Sequence, residues 1–287
     1  MLVMGDMTMN IKIFVCCHQP VEVPQHSLLI PLQVGAALAK ERFPGFLHDD
    51  TGDNISYKNR SYCELTGQYW AWKNVEADYY GFFHYRRYLY PNAHENRIYR
   101  IEQAPTSQIL DKLGYSNFSK VIEEHALILP KGEDMYLSVR DHYAESPNQH
   151  HKDLELAEHI VQRYFPSYVQ PMEAYLSGST CYFGNIFIMR RDLFEKYCAW
   201  LFQILEIFDN QVDLGGYGTQ ELRVDGYLAE RLLGVYSFHA GSGDNTPPFE
   251  LPRVHFDSCT TRRWRKKGIN YLLPPGSRRR AVVKKLL

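Results

Sequence analysis

The 287-residue chain lacks several features that would assign it to a common class of protein. It contains no run of about 18 consecutive apolar residues, so no membrane-spanning helix is expected. The opening segment MLVMGDMTMN carries an acid at Asp6 and no basic stretch, which argues against a secretory signal peptide. The six cysteines form no CxxC pair, and we predict that they are reduced and buried. Together these features favour a cytoplasmic protein.

The familiar motifs of nucleotide and metal chemistry are also missing. There is no GxxxxGKS/T phosphate loop, no GxGxxG fingerprint and no GxSxG nucleophile elbow. There is no HExxH helix and no cysteine pair with zinc spacing. One acidic cluster, Asp49, Asp50 and Asp53 in HDDTGDN, resembles a site for Mg²⁺ or Mn²⁺. The alternative is a turn whose Asp and Asn side chains cap its own backbone.

Acidic residues are absent from Ser258 onward. This segment carries ten of the 32 lysines and arginines, which leaves 22 basic against 33 acidic side chains in the first 257 residues. A basic, partly apolar tail suits an anionic membrane surface, at about 1 kcal/mol per basic residue. A disordered tail without a partner is the alternative, and the acidic body disfavours nucleic acid. We therefore divide the chain into a folded domain, residues 1–257, and a basic C-terminal tail, residues 258–287.

Short apolar segments alternate with helical patterns along the domain. The first strand, IKIFVCC, places Cys16 and Cys17 on opposite faces. Strands are predicted at Ile11–Cys17, Asp78–Tyr90, His125–Lys131 and Cys181–Arg190. Helices are predicted at Tyr62–Asn74 (with Leu65, Tyr69 and Trp72 on one face), Asp153–Tyr164, after Arg190, and at Asp225–Leu233, whereas Asn92–Ser119 is expected to be irregular. This alternation predicts one α/β domain with a mainly parallel central sheet flanked by helices.

A basic cluster follows the second of these strands. In an extended chain His84 and Arg86 would share one face, and Arg87 the other. The planar fork of an arginine binds phosphate in two-point geometry, and ligands of α/β sheets gather at the carboxyl ends of strands. Structural ion pairs with the acids of the body are the alternative explanation.

Several long motifs carry a resemblance to a known family. ELTGQYWAWKN and DYYGFFHYRRYLY, preceded by DDTGDNISYKN and followed by GNIFIMRRDLFEKYCAWLFQIL and GYLAERLL, resemble a bacterial polysaccharide glycosyltransferase family catalogued as domain of unknown function 4422. The resemblance extends from about Ile11 to about Tyr236. Members of that family lie in capsule, exopolysaccharide and O-antigen clusters, and some are galactofuranosyltransferases that use UDP-galactofuranose.

The resemblance implies a GT-A-like fold and a reaction. We expect transfer of a hexosyl unit, galactofuranosyl first among the candidates, from a UDP-sugar to a lipid-linked glycan, with inversion. The enzyme would lie on the inner face of the cytoplasmic membrane, attached through its basic tail. A non-catalytic carbohydrate- or nucleotide-binding subunit of a polysaccharide assembly system is the alternative function.

The resemblance also suggests how the donor diphosphate is held. Most GT-A enzymes use a metal on an Asp-x-Asp motif, whereas the comparable strand here offers His84, Arg86 and Arg87. We expect these three residues to bind the diphosphate directly, without a metal. A divalent metal on the HDDTGDN acids is the fallback.

Candidate catalytic and sugar-binding residues complete the prediction. Asp225 and Glu230 are the candidate bases for the acceptor hydroxyl. A helix N-cap for Asp225, and an ion pair with Arg231 or Arg223 for Glu230, are the alternatives. The candidate nucleotide- and sugar-binding residues are His18, Gln19, Asn54, Asn59, Tyr69, Trp70, Lys73 and Asn185.

Overall fold

The computed structural model describes residues 9–243 and 246–286. Most of the opening segment that we predict not to be a signal peptide therefore lies outside the described residues. The strands are β1 Ile11–Cys17, β2 Leu29–Gln33, β3 Leu47–His48, β4 Tyr79–His84, β5 Arg87–Leu89, β6 Tyr99–Glu102, β7 Leu127–Pro130, β8 Glu133–Asp134, β9 Thr180–Cys181, β10 Phe187–Arg190, β11 Phe249–Leu251 and β12 Arg253–Phe256. The helices are α1 Asn59–Tyr62, α2 Leu65–Asn74, α3 Ser107–Lys112, α4 Phe118–Glu123, α5 Val139–Ala144, α6 His151–Tyr164, α7 Val169–Ser177, α8 Arg191–Asp209, α9 Val224–Gly243, α10 Thr260–Leu272 and α11 Arg278–Leu286.

A ten-stranded sheet runs through the described part of the chain, with the order β11-β7-β10-β4-β1-β2-β3 along its main path. Neighbours on this path are parallel, except that β10 runs antiparallel to both β4 and β7. Beyond the path, β5 pairs with β4 and β12, and β12 pairs with β6. The predicted α/β fold with a largely parallel central sheet flanked by helices is confirmed.

Alternate side chains of β1 and β4 enter two hydrophobic cores, one on each face of the sheet. Phe14 and Phe82 pack on the face covered by α2, α6, α7, α8 and α9. Val15 and Phe83 pack on the opposite face, against α3 and α4. Cys16 belongs to the first core and Cys17 to the second, as strand geometry predicts.

The cysteines agree only in part with the prediction. Cys16, Cys17, Cys181 and Cys198 are buried free thiols. Cys63 is only partly buried and Cys259 is exposed, so the prediction of burial is wrong for these two. Cys63 lies between α1 and α2, outside the core strands and helices that bury the other thiols.

Two predicted strands are each interrupted. The Asp78–Tyr90 segment forms β4 and β5, which are joined by a turn at Tyr85 and Arg86. The flanking residues His84 and Arg87 pair with each other. The predicted alternation of faces therefore ends at His84. The Cys181–Arg190 segment contains β9 and β10, separated at Gly184 and Asn185, whose φ angles are 95° and 48°. Left-handed backbone of this kind cannot continue a strand.

Other element boundaries also differ from the sequence-based expectation. The predicted helix at Tyr62–Asn74 is broken at Cys63, where φ is 51°, and α2 begins at Leu65. The Asn92–Ser119 segment, expected to be irregular, contains β6 and α3. Helix α9 continues well beyond the predicted end, to Gly243.

The basic tail folds into α10 and α11. The Asp257 carboxylate, next to β12, accepts hydrogen bonds from Arg262 and Lys266 of α10 at 2.8 and 2.9 Å. Arg280 of α11 donates to Asn270 of α10 at 2.9 Å, so the two helices are linked. No helix within the described ranges is long and apolar enough to cross a membrane.

Candidate active site

Three segments that carry predicted site residues meet at one edge of the sheet. β1 and β4 are parallel and end there, and the antiparallel β10 begins there. His18 follows β1, His84 ends β4, and Asn185 precedes β10. The rings of His18 and His84 lie 6.1 Å apart, between centroids. The site thus occupies the carboxyl ends of the parallel strands, where α/β folds bind ligands.

The predicted basic cluster stands at the β4–β5 turn. Arg86 is exposed and lies 5.0 Å from the centroid of the Tyr85 ring, whereas Arg87 is half-buried. Within the described part of the chain, neither guanidinium has an ion-pair partner within 4.0 Å. The alternative explanation by structural ion pairs is therefore not what the structure shows. Two cations without carboxylate partners are suited to bind an external anion.

His84 is a neutral imidazole in this setting. Burial lowers the pKa of His84 to about 2, and the charges of Arg87 and Arg86 act in the same direction. Its Nδ1 accepts the backbone N–H of Arg86 at 3.2 Å. The proton of the neutral ring is thereby assigned to Nε2, which can donate to a ligand.

Two carboxylates face the cations across the turn that precedes β10. Glu230 Oε1 accepts the backbone N–H of Gly184 at 2.7 Å, and its Oε2 lies 3.0 Å from the Arg231 guanidinium. Asn185 Nδ2 donates to Glu64 Oε1 at 3.0 Å. Burial lowers the pKa of Arg87, while the Glu230 and Glu64 charges oppose that effect.

Asn185 holds this turn in place. Its side-chain amide also donates to the Gly226 carbonyl at 3.0 Å. The backbone carbonyl of Asn185 accepts a hydrogen bond from Gln68 Nε2 at 3.3 Å. Asparagine adopts φ near 48° more readily than most residues, which suits it to this position. The residue is 2% exposed, so the predicted sugar-binding Asn185 belongs to the wall of the site.

Glu64 is a further candidate site residue, which the sequence alone did not single out. It immediately precedes α2, where an acidic residue ordinarily stabilises the helix N-terminus, so its type alone gave no signal. Its place within the motif ELTGQYWAWKN was the available indication. Burial raises the pKa of Glu64, and the Glu230 charge adds to this, whereas the Asn185 hydrogen bond and the Arg223 charge oppose it. A carboxyl group with a raised pKa beside a cation cluster is a functional-site candidate.

Asp225 occupies a different, buried environment. Its Oδ2 accepts a hydrogen bond from the Ser61 hydroxyl, and the side chain has no exposed surface. Nearby, Lys58 pairs with Asp209 at 2.7 Å. Burial raises the pKa of Asp225 to about 7, and the Asp209 charge adds to the effect, while the Ser61 hydrogen bond and Lys58 oppose it. The proposed catalytic role of Asp225 stays a prediction.

The fallback metal ligands are engaged separately. Asp49 is fully buried and accepts from the backbone N–H groups of Gly35 and Ala36 at 2.8 and 2.9 Å. It also accepts from the hydroxyls of Ser56 and Thr66 at 2.5 and 2.6 Å. Asp50 pairs with Arg42, and Asp53 accepts from the Tyr69 hydroxyl at 3.2 Å. Within residues 9–243 and 246–286, no group of three or more metal-ligating side chains is found. Asp49 therefore caps the loop after β2 and not its own turn, and a metal on these acids stays an untested fallback.

Three further candidates lie on α2 and pack away from the cations. Trp70 is buried and donates from Nε1 to Thr51 at 2.9 Å. Tyr69 packs against Phe202 of α8, at 5.1 Å between ring centroids. Lys73 lies over the Trp72 ring at 3.5 Å. The structure does not bring these side chains to the site.

The last candidates are local in their contacts or exposed. Asn54 bonds within its own turn, donating to the Gly52 carbonyl at 2.9 Å. Asn59 donates to the Cys63 carbonyl at 2.6 Å. Gln19 is exposed directly after His18. Their ligand-binding roles stay predictions.

These observations define an α/β protein with a cluster of two arginines, a histidine and two carboxylates at the carboxyl edge of its sheet. The chain belongs to the family described as a domain of unknown function (DUF4422), which it matches over residues 12–241. The resemblance inferred from the motifs is thus confirmed. Among curated proteins there is no match.

One solved structure is similar to this chain over most of its length. It is the apo structure of the WbbM bifunctional glycosyltransferase, with a TM-score of 0.82 and 32% sequence identity. The similarity covers 86% of this chain and 45% of the WbbM chain. The chain therefore spans less than half the length of that protein.

Proposed function

We propose that the protein is a glycosyltransferase that moves a hexosyl unit from a UDP-sugar to a glycan. The observation that carries the proposal is the pair Arg86 and Arg87, cations without carboxylate partners in the described chain, facing Glu64 and Glu230 at a sheet edge. Similarity to a protein described as a bifunctional glycosyltransferase supports it. The resemblance to a family of polysaccharide glycosyltransferases also supports glycosyl transfer as the reaction.

The cations would act on the leaving group. Arg86 and Arg87 form charge-assisted hydrogen bonds with the diphosphate, and neutral His84 donates a hydrogen bond from its Nε2–H group. As the bond between the anomeric carbon and the diphosphate oxygen breaks, negative charge grows on that oxygen. Fixed donors around it lower the energy of the transition state. A metal on Asp49, Asp50 and Asp53 is disfavoured because these carboxylates are engaged elsewhere.

A carboxylate would act on the acceptor. Glu64 has one oxygen bonded to Asn185, and its raised pKa makes it a stronger base. It accepts the proton of the acceptor hydroxyl, whose oxygen attacks the anomeric carbon as UDP leaves, with inversion. Glu230, bonded to Gly184 and Arg231, positions the turn. A base must reach the hydroxyl, so the geometry favours Glu64 over the buried Asp225.

The finer assignments rest on the family resemblance and on the tail. The favoured donor is UDP-galactofuranose and the favoured acceptor a lipid-linked glycan of capsule, exopolysaccharide or O-antigen synthesis. We place the enzyme at the inner face of the cytoplasmic membrane. Helix α10 supports this placement because Trp264, Tyr271 and Leu272 are 66%, 86% and 68% exposed beside Arg265 and Lys267. Aromatic and basic side chains of this kind suit a lipid interface.

The test is hydrolysis of UDP-galactofuranose and other UDP-hexoses in the presence of excess EDTA, in which water takes the hexosyl unit and UDP is released. We expect release to continue, because the cations replace a metal. Complete loss that Mn²⁺ restores would contradict the metal-independent mechanism and redirect attention to the HDDTGDN acids. No release from any UDP-hexose, with or without metal, would instead favour a non-catalytic binding subunit.

A further inference from the structure

A cavity lies near the candidate active site. It has a volume of about 410 Å³, within the range of about 300–1,000 Å³ typical of small-ligand pockets. The segment that contains β8 forms one wall, α5 and the residues after it form another, and the start of α11 closes it. The basic tail thus helps to enclose a cavity of the main domain.

The lining of this cavity differs in polarity from the cation cluster. Asp134 and Glu145 contribute carboxylates, as does Glu133, which is ion-paired with Arg253, whereas Arg280 is the cation of the lining. Arg280 is already bonded to Asn270 at 2.9 Å and to the Leu273 carbonyl at 3.3 Å. Apolar groups are present too, such as those of Met135, Leu137, Pro147 and Ala281.

This mixture indicates the class of ligand. Carboxylates accept hydrogen bonds from hydroxyl groups but repel phosphate, and apolar side chains cover the C–H faces of a ring. An uncharged sugar fits such a lining, whereas the diphosphate of the donor belongs at Arg86 and Arg87. The two neighbouring sites therefore have complementary chemistry.

Short contacts connect the cavity with the active site. His142 lines the cavity and lies 5.7 Å from the Phe183 ring, between centroids, in an edge-on contact. Phe183 is followed directly by Gly184, which Glu230 binds. The ring nitrogen His142 Nδ1 lies 3.4 Å from the guanidinium of Arg231, the partner of Glu230. One layer of side chains therefore separates the cavity from the turn at Gly184 and Asn185 that precedes β10.

We propose that this cavity binds sugar units of the acceptor glycan. The inference rests on the proposed glycosyltransferase function for the identity of the sugar as an acceptor. A growing glycan presents uncharged hydroxyl-rich rings next to the hydroxyl that reacts. A cavity one side-chain layer from Gly184 is close enough to hold rings that lie further along the glycan from that hydroxyl. The closing helix α11 makes the site dependent on the basic tail.

The test compares two neighbouring positions of α11. Ala281 lines the cavity, whereas Val282 is 50% exposed and does not line it. Ala281→Trp places a large side chain in the cavity, and Val282→Trp is the matched control. Binding of methyl β-galactoside, methyl β-glucoside and lactose is followed by saturation-transfer NMR titration, and binding of UDP by calorimetry. We expect Ala281→Trp to weaken sugar binding by about tenfold or more, since an added side chain excludes the ligand sterically.

A second variant tests the polar wall without adding bulk. Glu145→Gln keeps the size of an exposed side chain but weakens its acceptor capacity, and Glu155→Gln on α6 is its control. Weaker sugar binding in Ala281→Trp and Glu145→Gln, with both controls normal, supports the site. Unchanged sugar binding in Ala281→Trp, or no sugar binding by the wild type, overturns it. If the wild type does not bind UDP, the proposed function is contradicted, whether or not the sugars bind.

Discussion

Arg87 combines half-burial with a positive charge that the described chain does not neutralise by an ion pair. Such a residue carries a desolvation cost, which an incoming anion relieves when it supplies the missing partner. Glu230 and Glu64 stabilise the charge at longer range without pairing with it. The diphosphate of a nucleotide sugar would therefore meet a guanidinium that makes no side-chain hydrogen bond within residues 9–243 and 246–286.

Replacing Arg87 by Ala should weaken UDP binding while leaving uridine binding unchanged. Loss of a charge-assisted hydrogen bond costs about 1.5–3 kcal/mol, so we expect Kd for UDP to rise by about 10- to 100-fold. Isothermal titration calorimetry with UDP and uridine measures both. Arg190→Ala is the control, because Arg190 is paired with Asp192 at the other end of β10. Equal weakening of uridine binding would show that Arg87 does not contact the diphosphate.

Two carboxylates, Glu64 and Asp225, are compared as candidates for the catalytic base. Glu64→Gln should lower kcat by about 100-fold or more, within the range for general bases, with UDP binding retained. Asp225→Asn, suggested by the sequence, should leave most turnover if Glu64 is the base. Loss of turnover in Asp225→Asn together with near-normal turnover in Glu64→Gln would reverse the assignment. Initial rates of UDP release, with circular dichroism as a check of folding, decide the matter.

Asp225 should also affect how stability depends on pH. Its pKa in the folded chain is raised to about 7, mainly by burial, whereas an unfolded aspartate ionises near 4. Between these values the folded chain binds more protons than the unfolded chain, so the free energy of unfolding contributed by this group falls as pH rises towards 7. We expect the free energy of unfolding, measured with urea, to fall less steeply in Asp225→Asn than in the wild type between about pH 4 and pH 7. Identical slopes would contradict the raised pKa.

Residue types alone indicated part of the site. His84, Arg86 and Arg87 stood out because packing gives no reason for paired arginines after an apolar strand. Glu64 did not stand out, because an acid before a helix has an ordinary role there. Trp70 was also a ligand-binding candidate, but the structure places it edge-on against Phe14 in the core.

At the scale of elements, the turn before β10 organises the site. Gly184 and Asn185 have left-handed backbone, which ends the strand pairing and directs an N–H towards Glu230 and an amide towards Glu64. The same turn brings the start of an antiparallel strand to the edge where β1 and β4 end. Its geometry therefore joins the carboxylates to the cation cluster.

Gly184→Ala should impair both stability and turnover. A Cβ there would lie 3.3 Å from Ile186 Cδ1 and 3.6 Å from an Arg87 terminal nitrogen, at a φ of 95°. Gly45→Ala is the matched control, since Gly45 has φ 77° but nothing within 4 Å of an added Cβ. We expect both variants to lose about 1 kcal/mol in urea unfolding, the usual cost of such backbone in alanine. Only Gly184→Ala should lower the rate of UDP release. A similar fall in that rate in Gly45→Ala would contradict a specific role for the turn before β10.

The sequence predicted the strands and helices better than their interruptions. Apolar runs identified β1, β4, β7 and β10, because burial on both faces requires them. The turn between His84 and Arg87 was missed, since neither Tyr85 nor Arg86 is a typical turn residue. The β4–β5 hairpin depends on the pairing of β5 with β12, a contact far along the chain that local sequence does not reveal.

At the scale of the whole molecule, the acidic body and the basic tail meet at a defined place. Asp257 anchors α10 through Arg262 and Lys266, and the opposite face of α10 exposes Trp264 and Tyr271. The composition of the tail indicated its charge, but not that it folds and closes a cavity. That closure depends on contacts between α11 and residues more than 100 positions earlier, which charge and composition do not encode.

Vesicle binding tests the role of the tail. Replacing Arg278 and Arg279 by Gln should weaken binding to phosphatidylglycerol vesicles by about 30-fold, at about 1 kcal/mol for each charge near the surface. Arg163→Gln, at an exposed position of α6, should have no effect. Co-sedimentation at low and high salt measures both, and binding should fall with salt because surface charges are screened. Equal binding to uncharged phosphatidylcholine vesicles would contradict an electrostatic attachment.

One assay tests whether the cation cluster of His84, Arg86 and Arg87 serves sugar transfer from a UDP-sugar. UDP release is measured for a panel of UDP-hexoses with the wild type and with Arg87→Ala. We expect release by the wild type, fastest with UDP-galactofuranose, and release that is lower by about 10-fold or more in Arg87→Ala at subsaturating donor. Equal rates in the two proteins, or no release from any UDP-hexose, would contradict it.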